Sequence, residues 1–139
     1  MKKVFLDTNV IIDFLTRRSP FEIEAMKLFE YSSRKRLKIH ISSLTISDIY
    51  YIISRLENKN IARENIKTLL QLVEILPVGK KIIEKSVLSD FKDVEDGIQN
   101  FCAKEANLKI IITRDTKDYI ESDLSIMTPI EFLAEFEKE

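Results

Sequence analysis

At 139 residues the chain is sized for one domain, 1–139, and its 45% hydrophobic content, 32% charged content and formal net charge of −1 suit an ordinary globular protein without a global pull on nucleic acid. No apolar run approaches the 18 or so residues of a membrane span. Two glycines, one histidine and one cysteine exclude Gly-rich phosphate loops, an internal disulfide, Cys–His nucleophiles and zinc sites built from several such ligands, so what remains for chemistry is carboxylate.

Met1-Lys2-Lys3 ahead of an apolar run has the outline of a signal peptide. Asp7 interrupts the run, however, and no small-residue cleavage site follows, so the expected compartment is the cytoplasm, in keeping with the lone Cys102. Val4-Phe5-Leu6 reads as a buried strand, Asp7-Thr8-Asn9 as a polar switch, and Val10 to Leu15 as the helix that follows. Arg17-Arg18-Ser19-Pro20 marks a break, after which Phe21, Ala25, Leu28 and Phe29 recur at helical spacing up to Tyr31. A basic run, Arg34-Lys35-Arg36, leads into a strand over Lys38 to Ile41 that holds His40, read as structural, and Ser42-Ser43 caps what comes next.

Helices are predicted over 44–56 and 62–74, with Asn58-Lys59-Asn60 ending the first. Tyr50 falls on the apolar face of the first helix with Ile46, Ile49 and Ile53 and is expected in the core, whereas Tyr51 fits either core or base stacking. Glu74 to Val78 reads as a third strand, placed at a sheet edge by Pro77. Helices at 80–88 and 94–107 flank a polar connection, and Ile110 to Thr113, apolar and β-branched, is expected at the sheet centre. Ser125-Ile126-Met127 is the last strand, and Pro129 opens a final helix ending near Glu137. Strands alternating with helices give an α/β fold with a parallel sheet covered on both faces.

On that scaffold the acids form a pattern. Asp7 follows the first strand, Asp115 and Asp118 follow the fourth, Asp93 and Asp96 open a helix, and Asp48 sits inside one, where aspartate is a poor former. Each also has a plainer role: Asp7 as a helix cap, Asp93 as N-cap with Asp96 at the third helical position, Asp115 and Asp118 as turn formers. Strands one and four are neighbours in the usual doubly wound order, which brings Asp7 and Asp115 together at the topological switch point. Crowded carboxylates repel unless protons or a cation neutralise them, and oxygen-only donors select Mg²⁺ or Mn²⁺.

The segments LDTNV at 6–10, SSLTISDIYYI at 42–52, KDVEDGIQ at 92–99 and TRDTKDY at 113–119 resemble, in order, the acidic motifs of the PIN-domain family. The resemblance implies a three-layer α/β/α sandwich with a five-stranded parallel sheet, and a metal-dependent endoribonuclease of the VapC toxin type that uses Mg²⁺ or Mn²⁺. It implies RNA as substrate, a small antitoxin as partner and a homodimer. Carried over by position, Asp7, Asp96 and Asp115 match the core acids. Asp48 stands where many members have glutamate and, one methylene shorter, is expected to reach metal through water. Asp93 and Asp118 stand close enough to substitute for a neighbour, and Thr8, Asn9 and Thr113 match the polar helpers that orient acids or contact phosphate. Arg17, Arg18, Arg34, Lys35 and Arg36 are the candidates for holding an RNA backbone. Two other classes compete: a non-catalytic PIN-like RNA-binding module, and a Mg-dependent receiver- or phosphatase-like domain. A receiver needs an aspartate where Pro77-Val78-Gly79 stands, and a phosphatase needs one at Asn9.

Overall fold

Alternation along the first strand decides the layering. In the computed structural model, which describes residues 1–139, strand β1 (Lys2–Leu6) sends Val4 and Leu6 into one core and Phe5 into another on the opposite face. The same alternation recurs in β4 (Ile110–Ile112), where Ile112 joins the first core and Ile111 the second. With β2 (Leu37–Ser42), β3 (Glu74–Leu76) and β5 (Ser125–Met127), these strands form one sheet in the order β3-β2-β1-β4-β5, every pairing parallel.

The larger core packs helices α1 (Thr8–Thr16), α2 (Glu22–Ser33), α3 (Ser43–Leu56), α4 (Lys59–Leu72) and α7 (Pro129–Phe136) against one face. The smaller core packs α5 (Lys80–Val87), α6 (Val94–Glu105) and the short 3₁₀ helix Thr116–Tyr119 against the other. This is the three-layer sandwich with a five-stranded parallel sheet expected from the sequence. No helix is long and apolar enough to cross a membrane.

Three expectations need correction. The central strand is β1, not β4, which lies between β1 and β5. Helix α4 begins at Lys59 rather than Ala62 because Asn58 caps it, accepting from the Ile61 N–H at 2.9 Å, so the polar run that ends one helix also starts the next. Tyr50 is 36% exposed rather than in the core, because the buried stripe of α3 runs through Thr45, Ile49 and Ile53 and leaves it at the margin. Cys102 and His40 are buried, and His40 is structural as expected, its Nδ1 3.2 Å from the Val4 carbonyl oxygen.

Candidate metal centre and active site

Because β1 is central and passes into α1 without a loop, Asp7 stands at the carboxyl end of the middle strand, where the chain's crossovers diverge. It is 8% exposed. One carboxylate oxygen accepts from the Thr8 N–H at 2.7 Å and from Gln99 Nε2 at 3.4 Å; the other accepts from Thr113 Oγ1 at 2.8 Å. Every partner is neutral. Burial raises the Asp7 pKa above the ordinary aspartate value, and the bonds from Thr113, Thr8 and Gln99 oppose that rise.

Thr113 extends the arrangement to the next strand. Its hydroxyl oxygen accepts from the Asp115 N–H at 3.1 Å, and Asn9 Nδ2 reaches both Thr113 Oγ1 at 3.3 Å and Asp115 Oδ2 at 3.4 Å. The polar helpers Asn9 and Thr113 therefore orient Asp7 and Asp115 relative to each other. Thr8 faces the third element, its Oγ1 2.9 Å from Thr45 Oγ1 in α3.

Helix α6 supplies the opposing wall. Asp93 is its N-cap, accepting from the Glu95 N–H at 2.8 Å and the Asp96 N–H at 3.4 Å, which is the capping role open to it from the sequence. Asp96 is half-buried and its carboxylate has no hydrogen-bond partner. Its pKa is pushed up to about 7, first by burial and then by the charges of Asp7, Asp93, Asp118 and Asp115. One turn further, buried Gln99 donates to Thr45 Oγ1 at 3.0 Å and to Thr8 Oγ1 at 3.3 Å, and accepts from Ser42 Oγ, so it ties α6 to β2, α3 and Asp7. Gly97 permits the close packing, since a Cβ there would collide with Ser86 of α5.

Asp48, on α3, lines a cavity of about 360 Å³ with Asp7, Asp96, Tyr51 and Glu95. Its carboxyl hydrogen-bonds Glu95, whose pKa is pushed up to about 8 by that bond, by burial and by the charges of Asp48, Asp93 and Asp96. Near neutral pH Glu95 therefore keeps its proton and donates it to Asp48. Sequence reasoning missed both Glu95 and Gln99. A glutamate in the first helical turn reads as a complement to the helix dipole; for Gln99 the available signal was its i+3 relation to Asp96, which sets both on one face.

The nine ion pairs of the molecule include none of Asp7, Asp48, Asp93, Glu95, Asp96, Asp115 or Asp118. Seven acids thus gather at the carboxyl end of the sheet without an ion-pair partner. No three of them converge into a ready-made ligand set. Hard oxygen donors with uncompensated charge fit a divalent cation of the Mg²⁺ or Mn²⁺ kind.

The basic runs fall elsewhere. Arg34, Lys35 and Arg36 precede β2 and so lie at the amino end of the sheet, opposite the acids; Arg34 pairs with Glu30 at 2.6 Å and Arg36 covers the Tyr31 and Phe136 rings. Arg17 and Arg18 lie beyond the far end of α1, roughly 13 Å along its axis from Asp7. The basic residues that border the acids are Lys92 and Lys117, which line a cavity of about 380 Å³ with Asp93, Asp96 and Asp118.

The family model described as PIN domain matches residues 3–117. A protein of Aquifex aeolicus (strain VF5), named Ribonuclease VapC1, is 31% identical over 136 residues that cover 94% of this chain and 93% of that protein. Among solved structures, FitAcB from Neisseria gonorrhoeae superposes with a TM-score of 0.71 at 21% identity, covering 91% of this chain and 98% of that one. A toxin–antitoxin complex from Klebsiella pneumoniae gives a TM-score of 0.68 at 25% identity over 91% of this chain and 97% of that one.

Proposed function

The chain belongs to the PIN domain family, and from that membership we propose that it is an endoribonuclease using Mg²⁺ or Mn²⁺ to hydrolyse RNA phosphodiester bonds in the cytoplasm. The observation that carries the reading is the set of seven acids without an ion-pair partner around Asp7, on a fold shared with a protein named as a ribonuclease. The receiver- and phosphatase-like readings fall to the same family match.

Asp7, Asp96 and Asp115 are the residues proposed to hold the ion, with Asp118 as a further carboxylate beside Asp96. A divalent ion there supplies a Lewis acid that activates water and offsets phosphodiester charge during in-line displacement. The protein's own part is preorganisation. Thr113 and Asn9 fix Asp7 against Asp115, so the ligand oxygens are oriented before the substrate arrives. A proton held on Glu95 leaves the Glu95–Asp48 pair with one negative charge instead of two, which lowers the anionic charge an approaching phosphate meets. Phosphate contacts fall to Lys92 and Lys117 rather than to the distal arginines. Exposed Tyr51, braced by Arg55 Nη1 at 3.0 Å, is the base-stacking surface.

The solved relatives include a toxin–antitoxin complex, and the partner proposed for this chain is likewise a small antitoxin. Purified chain incubated with single-stranded RNA in Mn²⁺ is expected to cleave it, and EDTA is expected to abolish cleavage until Mn²⁺ is restored. RNA left whole in Mn²⁺, or cleaved equally in EDTA, contradicts the reading.

A further inference from the structure

Tyr119 ends the 3₁₀ helix that follows Asp115 and is 1% exposed, its ring edge-on to Phe91 at a centroid distance of 6.2 Å. The ring belongs to the smaller core. The hydroxyl does not: it is buried and makes no hydrogen bond of ordinary length, the Asp7 carboxylate being the acceptor within longer reach. It stands beside Asp7, close enough that each group perturbs the other's ionisation. A phenol keeps its proton at neutral pH, so the hydroxyl has one to donate. A phenylalanine would pack the same ring without the cost of an unpartnered buried hydroxyl.

We propose that the Tyr119 hydroxyl is a positioning group for the metal centre, donating to the Asp7 carboxylate when that carboxylate engages a divalent ion. The inference rests on the metal-dependent reading above. Two carboxylate oxygens offer about four acceptor places, of which Thr8, Thr113 and Gln99 use three. The Gln99 contact, at 3.4 Å, is the long one, and Gln99 Nε2 has Thr45 Oγ1 at 3.0 Å to fall back on. Asp7 can therefore exchange Gln99 for an ion and keep Thr8, Thr113 and Tyr119 as the three donors that fix its orientation.

Tyr119→Phe in the full chain tests this by Mn²⁺ titration calorimetry and by thermal melts in EDTA and in Mn²⁺. The expected variant melts in EDTA at or above the wild-type temperature, binds Mn²⁺ about 10–100-fold more weakly, and gains a smaller Mn²⁺-induced rise in melting temperature. A variant that binds Mn²⁺ as tightly as wild type overturns the inference alone. So does one destabilised in EDTA with an unchanged Mn²⁺ response, since the hydroxyl then serves only the fold. A wild type that binds no Mn²⁺ overturns the metal reading and this inference with it.

Discussion

Asp7→Asn is expected to lower Mn²⁺-dependent RNA cleavage at least ~100-fold, roughly 2.7 kcal/mol of transition-state stabilisation, while leaving the fold intact. The substitution is isosteric. The asparagine oxygen can keep the Thr8 and Gln99 bonds; its amide faces a Thr113 hydroxyl that already accepts from Asp115 and Asn9, so the Thr113 bond alone is weakened. What disappears is the charge the ion requires, and with it the burden of a buried anion that neutral donors alone support. Activity and stability should therefore separate: cleavage lost, melting temperature in EDTA unchanged or higher. Full activity in this variant, with contaminating nuclease excluded, would remove Asp7 from the site.

Arg114→Met should produce the opposite separation. Arg114 Nε lies 2.6 Å from Asp13 Oδ2 and its Nη2 3.4 Å from Oδ1, with Asp13 1% exposed and the guanidinium 4.0 Å above the Phe21 ring. The pair ties α1 and the segment entering α2 to the loop that carries Asp115. Removing one partner of a buried pair leaves a charge with nothing to offset it, at a cost of about 3 kcal/mol at neutral pH, or roughly 10 °C in melting temperature. Burial already raises the Asp13 pKa against the pull of Arg114. Without Arg114 it rises further, so the folded variant takes up a proton that the unfolded chain does not, and its deficit shrinks as pH falls. Asp13→Leu combined with Arg114→Met should recover most of the loss. An unchanged melting temperature in Arg114→Met would show that the pair contributes no net stability.

The Arg114–Asp13 pair joins residues 101 positions apart, and no local pattern announces it. The β1–Asp7–α1 unit, by contrast, is legible because a strand, a capping acid and a helix follow one another without a loop. The neighbouring of β1 and β4 follows from doubly wound order, but the rank of β4 within the sheet does not. A short apolar strand reads alike at any interior position, so composition cannot distinguish the centre from its neighbour. Asp7, Asp96 and Asp115 are visible as acids beyond strands or at a helix start. Glu95 and Gln99 are hidden by ordinary surface-helix roles, and only their contacts with Asp48 and Thr45 of α3 reveal them. The place of the Arg34–Arg36 run relative to the acids is likewise not legible from charge. The run precedes a strand, and in a parallel sheet whatever precedes a strand lies at the end opposite the switch point.

The central claim, that these carboxylates form a metal site and not a set of helix caps, is tested most directly by melting wild type and Asp96→Asn in EDTA and in millimolar Mn²⁺. Asp93 already caps α6, and the Asp96 carboxylate accepts no hydrogen bond, so its charge is free for an ion. With its pKa raised from 3.8 to about 7, folded Asp96 holds a proton that the unfolded chain has released. Its contribution is therefore fully present below about pH 4 and lost as pH rises through about 7. In EDTA near pH 7.5, Asp96→Asn should be as stable as wild type or more so by about 1 kcal/mol, a figure discounted for solvent screening. In Mn²⁺ the order should reverse: wild type gains about 2.7 kcal/mol at a hundredfold excess over Kd, and the variant gains little. A variant destabilised by roughly 0.3–1 kcal/mol in EDTA, beside a wild type indifferent to Mn²⁺, would contradict the account and return the acids to capping.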